Sequence, residues 1–296
     1  MFNEIKAKLF PGQILLKRLS DVVKGLSDNL GGLTMKVDAT NAAIIRMEAE
    51  IDRLNRDFAV TRSLLSEAIH EDHVKYGWNK SFAQTGEDLI LAALFINFLK
   101  IDKPSYLDIG TNHPSRLNNT FFFYRFNCTG VCVEANPHLI DEIKAIRPRD
   151  KCLNVGVGDS SQRADFYVME PSTMSTFSTK DFEAYKEKGI VHKETIPIEM
   201  VPVNVLIEKH FTSCPNLVSL DTEGNDEVIL KAFDFQRFRP EVFCVETVEY
   251  REVNKNAVID DLMAANGYVK YADTFINSIY VDSGKLNAAL AAKDKS

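Results

Sequence analysis

Two acids and a lone glycine, set at the ends of consecutive apolar runs, make the stretch from Tyr106 to Pro137 the part of this chain most suited to chemistry. It reads YLDIGTNHPSRLNNTFFFYRFNCTGVCVEANP: strand, polar loop, helix, strand, then Glu134. A carboxylate at the end of the second strand of a βαβ unit can accept hydrogen bonds from both hydroxyls of a ribose. The loop Gly110-Thr111-Asn112-His113-Pro114 presents backbone N–H groups at a helix start. The spacing therefore predicts a bound nucleoside. The dinucleotide fingerprint G-x-G-x-x-G is missing, because this loop holds a single glycine. A pyrophosphate would need the second glycine. A ligand with an amino-acid end does not, and Asp108 can hold its ammonium group directly or through water. Asp108, Gly110, Thr111, Asn112, Glu134 and the following Ala135 and Asn136 are the candidate cofactor contacts. Their order favours an aminoacyl-nucleoside cofactor over a dinucleotide.

A second constellation is Leu220-Asp221-Thr222-Glu223-Gly224-Asn225, where Asp221 ends the fourth strand and belongs to both the cofactor and the reaction side. Transfer of a methyl group to a hydroxyl needs the acceptor oxygen aligned and its proton removed. The candidate bases are His113, Asp221 and Glu223. Histidine has a suitable pKa without perturbation, whereas the carboxylates need burial to raise theirs. Another route uses a divalent ion. Asp221 and Glu246 end neighbouring strands and, with Glu223 or Glu249, offer oxygen ligands to Mg²⁺, which would acidify the hydroxyl.

The elements that must position these groups alternate. Strands are expected at Tyr106–Ile109, Gly130–Val133, Lys151–Val155, Leu217–Leu220, Val242–Glu246, Tyr268–Tyr271 and Ile276–Val281. Helices are expected at Asn118–Phe126, Leu139–Ile146, Asp226–Phe233 and Ala257–Ala265. This pattern predicts an α/β fold, a Rossmann-like, doubly wound, mostly parallel seven-stranded sheet with one antiparallel edge strand. Ala164–Met169 and Thr195–Val203 are further β-like pieces flanking a polar insertion at the carboxyl edge, with Ser175 and Thr176 as lid candidates. Thr85 is placed to cap a buried helix that carries Glu87 and Asp88 in its first turn.

Residues 1–72 are of another kind. Stepping by sevens from Leu16 meets Val23, Leu30, Val37, Ile44, Ile51, Phe58 and Leu65, and the d positions three residues on include Leu19, Leu26, Leu33, Met47 and Leu54. A phase held this long predicts a continuous coiled-coil helix that self-associates into a homo-oligomer. Gly31-Gly32 could instead turn a helical hairpin, but the phase passes through the pair unbroken. Phe2, Ile5, Leu9 and Phe10 beside Lys6, Lys8, Lys17 and Arg18 form a thin membrane-touching alternative. The division expected is 1–72 coiled coil, 73–104 hinge (around Tyr76-Gly77-Trp78) and capping helix, 105–283 Rossmann-like domain and 284–296 tail.

A net charge of −7 argues against a nucleic-acid partner, and five scattered cysteines argue for reduced thiols and a cytoplasmic location. The longest apolar run, Leu89 to Leu99, is too short for a transmembrane segment.

The ordered set FAQTGEDL (82–89), YLDIGTNHP (106–114), NNTFFFY (118–124), GVCVEANP (130–137), RP (147–148), STFS (175–178), SLDTEGND (219–226) and VFCVETVEY (242–250) resembles the FkbM-type methyltransferases. The resemblance covers about residues 81–250. It implies a Rossmann-like fold, S-adenosylmethionine as cofactor, and O-methylation of a hydroxyl on a sugar, glycan or secondary metabolite. Asp108, Gly110 and Glu134 match the family's cofactor motif, while His113-Pro114 departs from its small residues. The resemblance also implies that Gln84 folds over the pocket toward the methionine carboxylate, and that Gly156 and Asp159 lie by the adenine. The rival classes are a coiled-coil scaffold with an inactive Rossmann-like domain, and a nucleotide-dependent dehydrogenase, which the missing glycines disfavour.

Overall fold

The structure is a computed structural model that describes residues 11–75, 80–249, 254–255 and 257–293. The hinge at Tyr76-Gly77-Trp78, the residues Phe2 to Phe10 and the side chain of Glu249 lie outside the described residues. The chain divides into two units, Met1–Phe58 and Ala59–Ser296.

The described residues of the first unit, from Pro11 on, are helical. Helix α1, Pro11–Lys75, passes through Gly31 and Gly32 without the turn a hairpin would require. From Leu16 to Ile51 its apolar heptad residues are exposed, with Leu16 at 70%, Leu30 at 70% and Leu33 at 64%.

The second unit is a doubly wound sheet. Helix α2 (Glu87–Ala93), continued by a π turn through Leu99, leads into β1 (Tyr106–Ile109), α3 (Phe121–Arg125), β2 (Gly130–Val133), α4 (Ile140–Ile146) and β3 (Lys151–Leu153). Then come β4 (Gly156–Gly158), β5 (Gln162–Glu170), α5 (Thr179–Glu187), β6 (Val191–Pro202), α6 (Val203–His210), β7 (Leu217–Leu220), α7 (Asp226–Ala232) and β8 (Val242–Glu246). The short β9 (Val248–Glu249) and β10 (Asn254–Lys255), α8 (Ala257–Ala265), β11 (Tyr268–Asp273), β12 (Asn277–Asp282) and α9 (Ser283–Lys293) complete the described residues.

The main sheet has the order β11-β12-β8-β7-β1-β2-β3. The antiparallel strand is β12, one place in from the edge between β8 and β11, because a tight hairpin joins it to β11. Side-chain alternation assigns each strand's residues to two cores. Leu107, Ile109, Val218, Leu220, Phe243 and Val245 pack with α6, α7 and α8. Tyr106, Leu217, Val242 and Cys244 pack with Leu91, Leu94, Phe95, Phe121 and Phe123 on the other face. Both faces are therefore covered, which explains why these strands read as nearly continuous apolar runs.

Three local expectations are corrected. The strand foreseen at Lys151–Val155 breaks after Leu153, because the Asn154 amide turns to the carbonyls of Glu134 (2.8 Å) and Ala135 (2.9 Å). The chain then leaves as β4 for a second sheet of order β4-β6-β5. Thr85 does not cap α2. Gly86, at φ 94°, holds the cap position, and Thr85 instead hydrogen-bonds the Glu87 carboxylate. Residues 284–296 were expected as a tail, yet α9 runs to Lys293 and its Leu286 packs on the core.

Candidate functional site

Register builds the site. Ile109 pairs with Val133 on one side and Leu220 on the other, and Leu220 pairs with Val245. One residue further along these four parallel strands stand Glu134, Gly110, Asp221 and Glu246. They form a level row at the carboxyl edge, where doubly wound sheets bind ligands. With neighbouring strands about 4.8 Å apart, Glu134 and Asp221 are separated by roughly 10 Å.

Gly110 makes the row possible. Its φ is +82°, and a Cβ built on it would lie 1.6 Å from the Asp221 carbonyl oxygen. Its N–H donates to the Val133 carbonyl at 2.9 Å, tying the loop to β2. A glycine here answers both the backbone angle and the close approach of β7.

A cavity of about 300 Å³ opens on this row. Gln84, Gly110, Asn112, Glu134, Ala135, Gly156, Asp221, Glu223 and Glu246 all line it. Glu134 is buried, and its two oxygens accept the backbone N–H groups of Asn112 and Asn136, each at 2.7 Å. Burial pushes its carboxyl up to about 7, against the pull of those two N–H groups. The remaining lone pairs can take ribose hydroxyls.

At the other end, carboxylate oxygens of Asp221, Glu223 and Glu246 lie within 4.8 Å of one another. Burial, then the charge of Asp226, pushes Asp221 up to about 7. Burial and the charge of Asp221 hold Glu223 and Glu246 well above the ordinary carboxylate range. Asp226 rises to about 6 through burial, while its side chain accepts the Thr222 N–H at 3.1 Å. Asp221, at about 7, is near the pKa a general base needs, and the oxygens of the three would also suit a hard divalent ion.

Other residues singled out from the sequence lie elsewhere. Asp108 does not line the cavity. Strand alternation turns it, with Tyr106, toward the helix layer, where it accepts from Asn118 (3.1 Å), Thr120 (2.7 Å) and Arg147 (3.3 Å). Arg147 is fully buried, bonds Asp150 at 2.8 Å as well, and lies over the rings of Tyr106 and Tyr124. His113 is turned into its own loop. Its Nδ1 accepts the N–H groups of Ser115 (3.1 Å) and Arg116 (3.0 Å), and the Arg116 side chain donates from Nε to its Nε2 at 2.9 Å. Thr111 is buried, with its hydroxyl on the Asp108 carbonyl at 3.2 Å. Asn136 caps the turn at His138, and exposed Asp159 takes the Ser160 hydroxyl. None of these lines the cavity.

The second sheet supplies what the sequence showed least clearly. Val155, Val157, Phe166, Met174 and Phe177 form an apolar wall, with Ser172, Thr173 and Ser175 at its rim. Ser172 reaches Asn112 at 3.3 Å, so the insertion closes on the glycine loop. The signal was present in β5, whose apolar residues alternate, but its partner strand lies some thirty residues away. Thr222 also lines the cavity, and its hydroxyl is buried with no partner among the described residues.

No described helix is long and apolar enough to cross a membrane. No curated protein matches the chain. Among solved structures, a caffeoyl-CoA O-methyltransferase described as putative, from Staphylococcus aureus, has 10% identity and a TM-score of 0.40, covering 77% of this chain and 99% of its own. An O-methyltransferase from Bacillus cereus in complex with SAH has 14% identity and a TM-score of 0.37, covering 75% and 90%. A precorrin-6y C5,15-methyltransferase from Geobacter metallireducens has 12% identity and a TM-score of 0.35, covering 65% and 87%. The methyltransferase FkbM domain matches residues 108–270, more than half of the chain and the whole span from Asp108 past Glu246. The chain belongs to the FkbM family and is an S-adenosylmethionine-dependent methyltransferase.

Proposed function

We propose that the protein methylates a hydroxyl on a sugar, glycan or secondary metabolite, with the cofactor lying along the level row of strand ends. The observation that carries this reading is the row itself. Glu134 waits as a hydroxyl acceptor at one end, and three carboxyls with raised affinity for protons converge at the other. The Thr222 hydroxyl, on the same cavity and without a partner among the described residues, is a group that a ligand would satisfy.

Glu134 would hold the ribose, and Gln84 and Asn112 the polar end of the cofactor, against the apolar wall of Val155, Val157 and Phe166. Bound there, S-adenosylmethionine supplies an electrophilic methyl group. Asp221, Glu223 or Glu246 takes the proton of the acceptor hydroxyl. The cavity walls fix the line of approach and exclude water. Calorimetry with S-adenosylmethionine checks the assignment. The expected result is saturable binding that Glu134→Ala weakens at least about tenfold, the order of a lost charge-assisted hydrogen-bond pair. Absent binding, or binding indifferent to that change, removes the reading.

A variant of the reading places Mg²⁺ on Asp221, Glu223 and Glu246, whose oxygens are close enough to share one ion. Methyl transfer would then be lost in EDTA and restored by Mg²⁺.

We also propose that α1 pairs with a second copy of the chain. Its apolar heptad residues Leu16, Leu19, Leu26, Leu30 and Leu33 are exposed in one chain, and an unbroken seven-residue phase has its use in a partner of the same phase. Light scattering of the full chain should give a multiple of 33.4 kDa, and Leu26→Asp with Leu33→Asp should return it to the monomer mass. A wild-type monomer refutes the pairing.

A further inference from the structure

Asp108, Cys132 and Cys152 are register partners across β1, β2 and β3, so their side chains share one face of the sheet, the face that holds Arg147. The two cysteines therefore lie side by side on neighbouring strands. Paired strands run about 4.8 Å apart, inside the Cα separation of roughly 4.4–6.8 Å that a disulfide spans. Cys244, the other cysteine within a strand, pairs with Ser219 and Ile279 instead, and Cys128 and Cys214 lie outside the strands.

The pair is asymmetric. Cys132 is 1% exposed, and its sulfur lies 3.6 Å from Asp150 Oδ2. Cys152 sits on β3, at the end of the sheet order, and is only partly buried. A hydrogen bond with Cys132, and the charge of Arg147, draw the Cys152 thiol below its ordinary range. The same bond, with burial, holds Cys132 well above it. Burial pushes Cys128 up to about 11, Cys214 up to about 12, and Cys244 well above the ordinary range. The thiolate is the nucleophile, so one accessible, reactive sulfur stands beside one buried, protonated sulfur.

We propose that Cys132 and Cys152 form a reversible dithiol–disulfide site that hydroperoxides oxidise, with Cys152 attacking and Cys132 resolving. In the first step the Cys152 sulfur bonds one peroxide oxygen and the O–O bond breaks. The other oxygen takes a proton from solvent and leaves as water or an alcohol. Cys152 is then a sulfenic acid. The Cys132 sulfur next bonds the Cys152 sulfur, the S–O bond breaks, and the departing hydroxide leaves as water with the Cys132 proton. Two thiols and one hydroperoxide thus give one disulfide, one water, and the water or alcohol of the first step. Partners on parallel strands project side by side, not toward each other, so the bridge draws β3 toward β2. A three-residue strand at the end of the sheet can yield. The strain that remains makes the bond easy to reduce, which is what makes the site reversible.

The test is thiol counting and peptide mapping on the full chain, treated with a small excess of hydrogen peroxide and then alkylated in denaturant. The wild type should lose two of its five thiols, yield a peptide linking Cys132 to Cys152, and show no cross-linked chains on a non-reducing gel. Dithiothreitol should restore all five thiols. Cys132→Ser should stop at a sulfenic acid on Cys152 that dimedone traps. Cys152→Ser should keep its other four thiols over the time that oxidises the wild type, because peroxide does not reach Cys132. Five intact thiols in the treated wild type, a bridge through Cys128, Cys214 or Cys244, or a loss that dithiothreitol does not reverse overturns the proposal. Oxidation of Cys132 in Cys152→Ser at the wild-type rate overturns it as well.

Discussion

The hydroxyl of Thr176 donates to the backbone carbonyl of Glu223 at 2.8 Å. This bond joins the insertion between β5 and β6 to the loop that opens α7. Thr176 is 1% exposed, its backbone pairs with Tyr167, and its hydroxyl accepts the N–H of Ser178 at 2.9 Å. Glu223 meanwhile sits in the left-handed region at φ 52°, where a residue with a side chain needs outside support. Thr176→Val keeps the shape and deletes the donor, leaving the carbonyl without it. We expect a loss of about 1–2 kcal/mol in urea denaturation, with Thr176→Ser retaining most of the wild-type stability. Equal stability of the valine and wild-type proteins would show that the clamp is idle.

Two glycines with similar backbone angles should behave differently. At Gly110 an added Cβ meets the Asp221 carbonyl oxygen at 1.6 Å, whereas at Gly86, φ +94°, nothing lies within 4 Å. Gly110→Ala must push β7 away from β1 and should abolish folding. Gly86→Ala pays only for its backbone angle and should cost about 1 kcal/mol. Circular dichroism melting of the two variants separates steric from conformational demand.

Arg147 is the buried hub behind the glycine loop. Replacing it by methionine leaves Asp108 and Asp150 without their cation, and removal of one partner from a buried ion pair costs about 3–5 kcal/mol. Adding Asp108→Asn to Arg147→Met should recover part of that loss, because one uncompensated charge disappears. Additive losses in this double-mutant cycle would mean that the pair is not coupled.

The carboxyls in and beside the cavity make a pH prediction of definite sign. Glu134 and Asp221 are raised to about 7 and Asp226 to about 6, all from ordinary values near 4. Folding therefore favours their protonated forms. The stability they contribute is complete below about pH 4 and is lost as pH rises through 6 to 7. The ligand-free protein should melt at progressively lower temperature from pH 5 to pH 8, and Asp226→Asn should flatten the trend. A melting temperature that rises over this interval would contradict the raised values.

Local patterns along the chain were enough to specify the sheet, the glycine loop and the acids at the strand ends. Those are local matters: apolar runs of strand length, a glycine where the chain must bend at positive φ, and carboxylates at run boundaries such as Glu134, Asp221 and Glu246. They also specified the unbroken α1, because a heptad phase is carried by neighbours along one helix. Tertiary structure decided which of these residues meet. Asp108 and Glu134 look equivalent in the chain, yet strand alternation sends Asp108 sideways to Arg147, while Glu134, one step past its strand, faces the cavity. His113 stands in the right loop but is consumed by the N–H groups of its own turn. The apolar wall from Phe166 and Phe177 and the Thr176 clamp depend on β5 pairing with β6 across the insertion, a long-range contact with no period in the sequence. The closeness of Asp221, Glu223 and Glu246 likewise follows from the register of β7 against β8, which only the folded sheet sets.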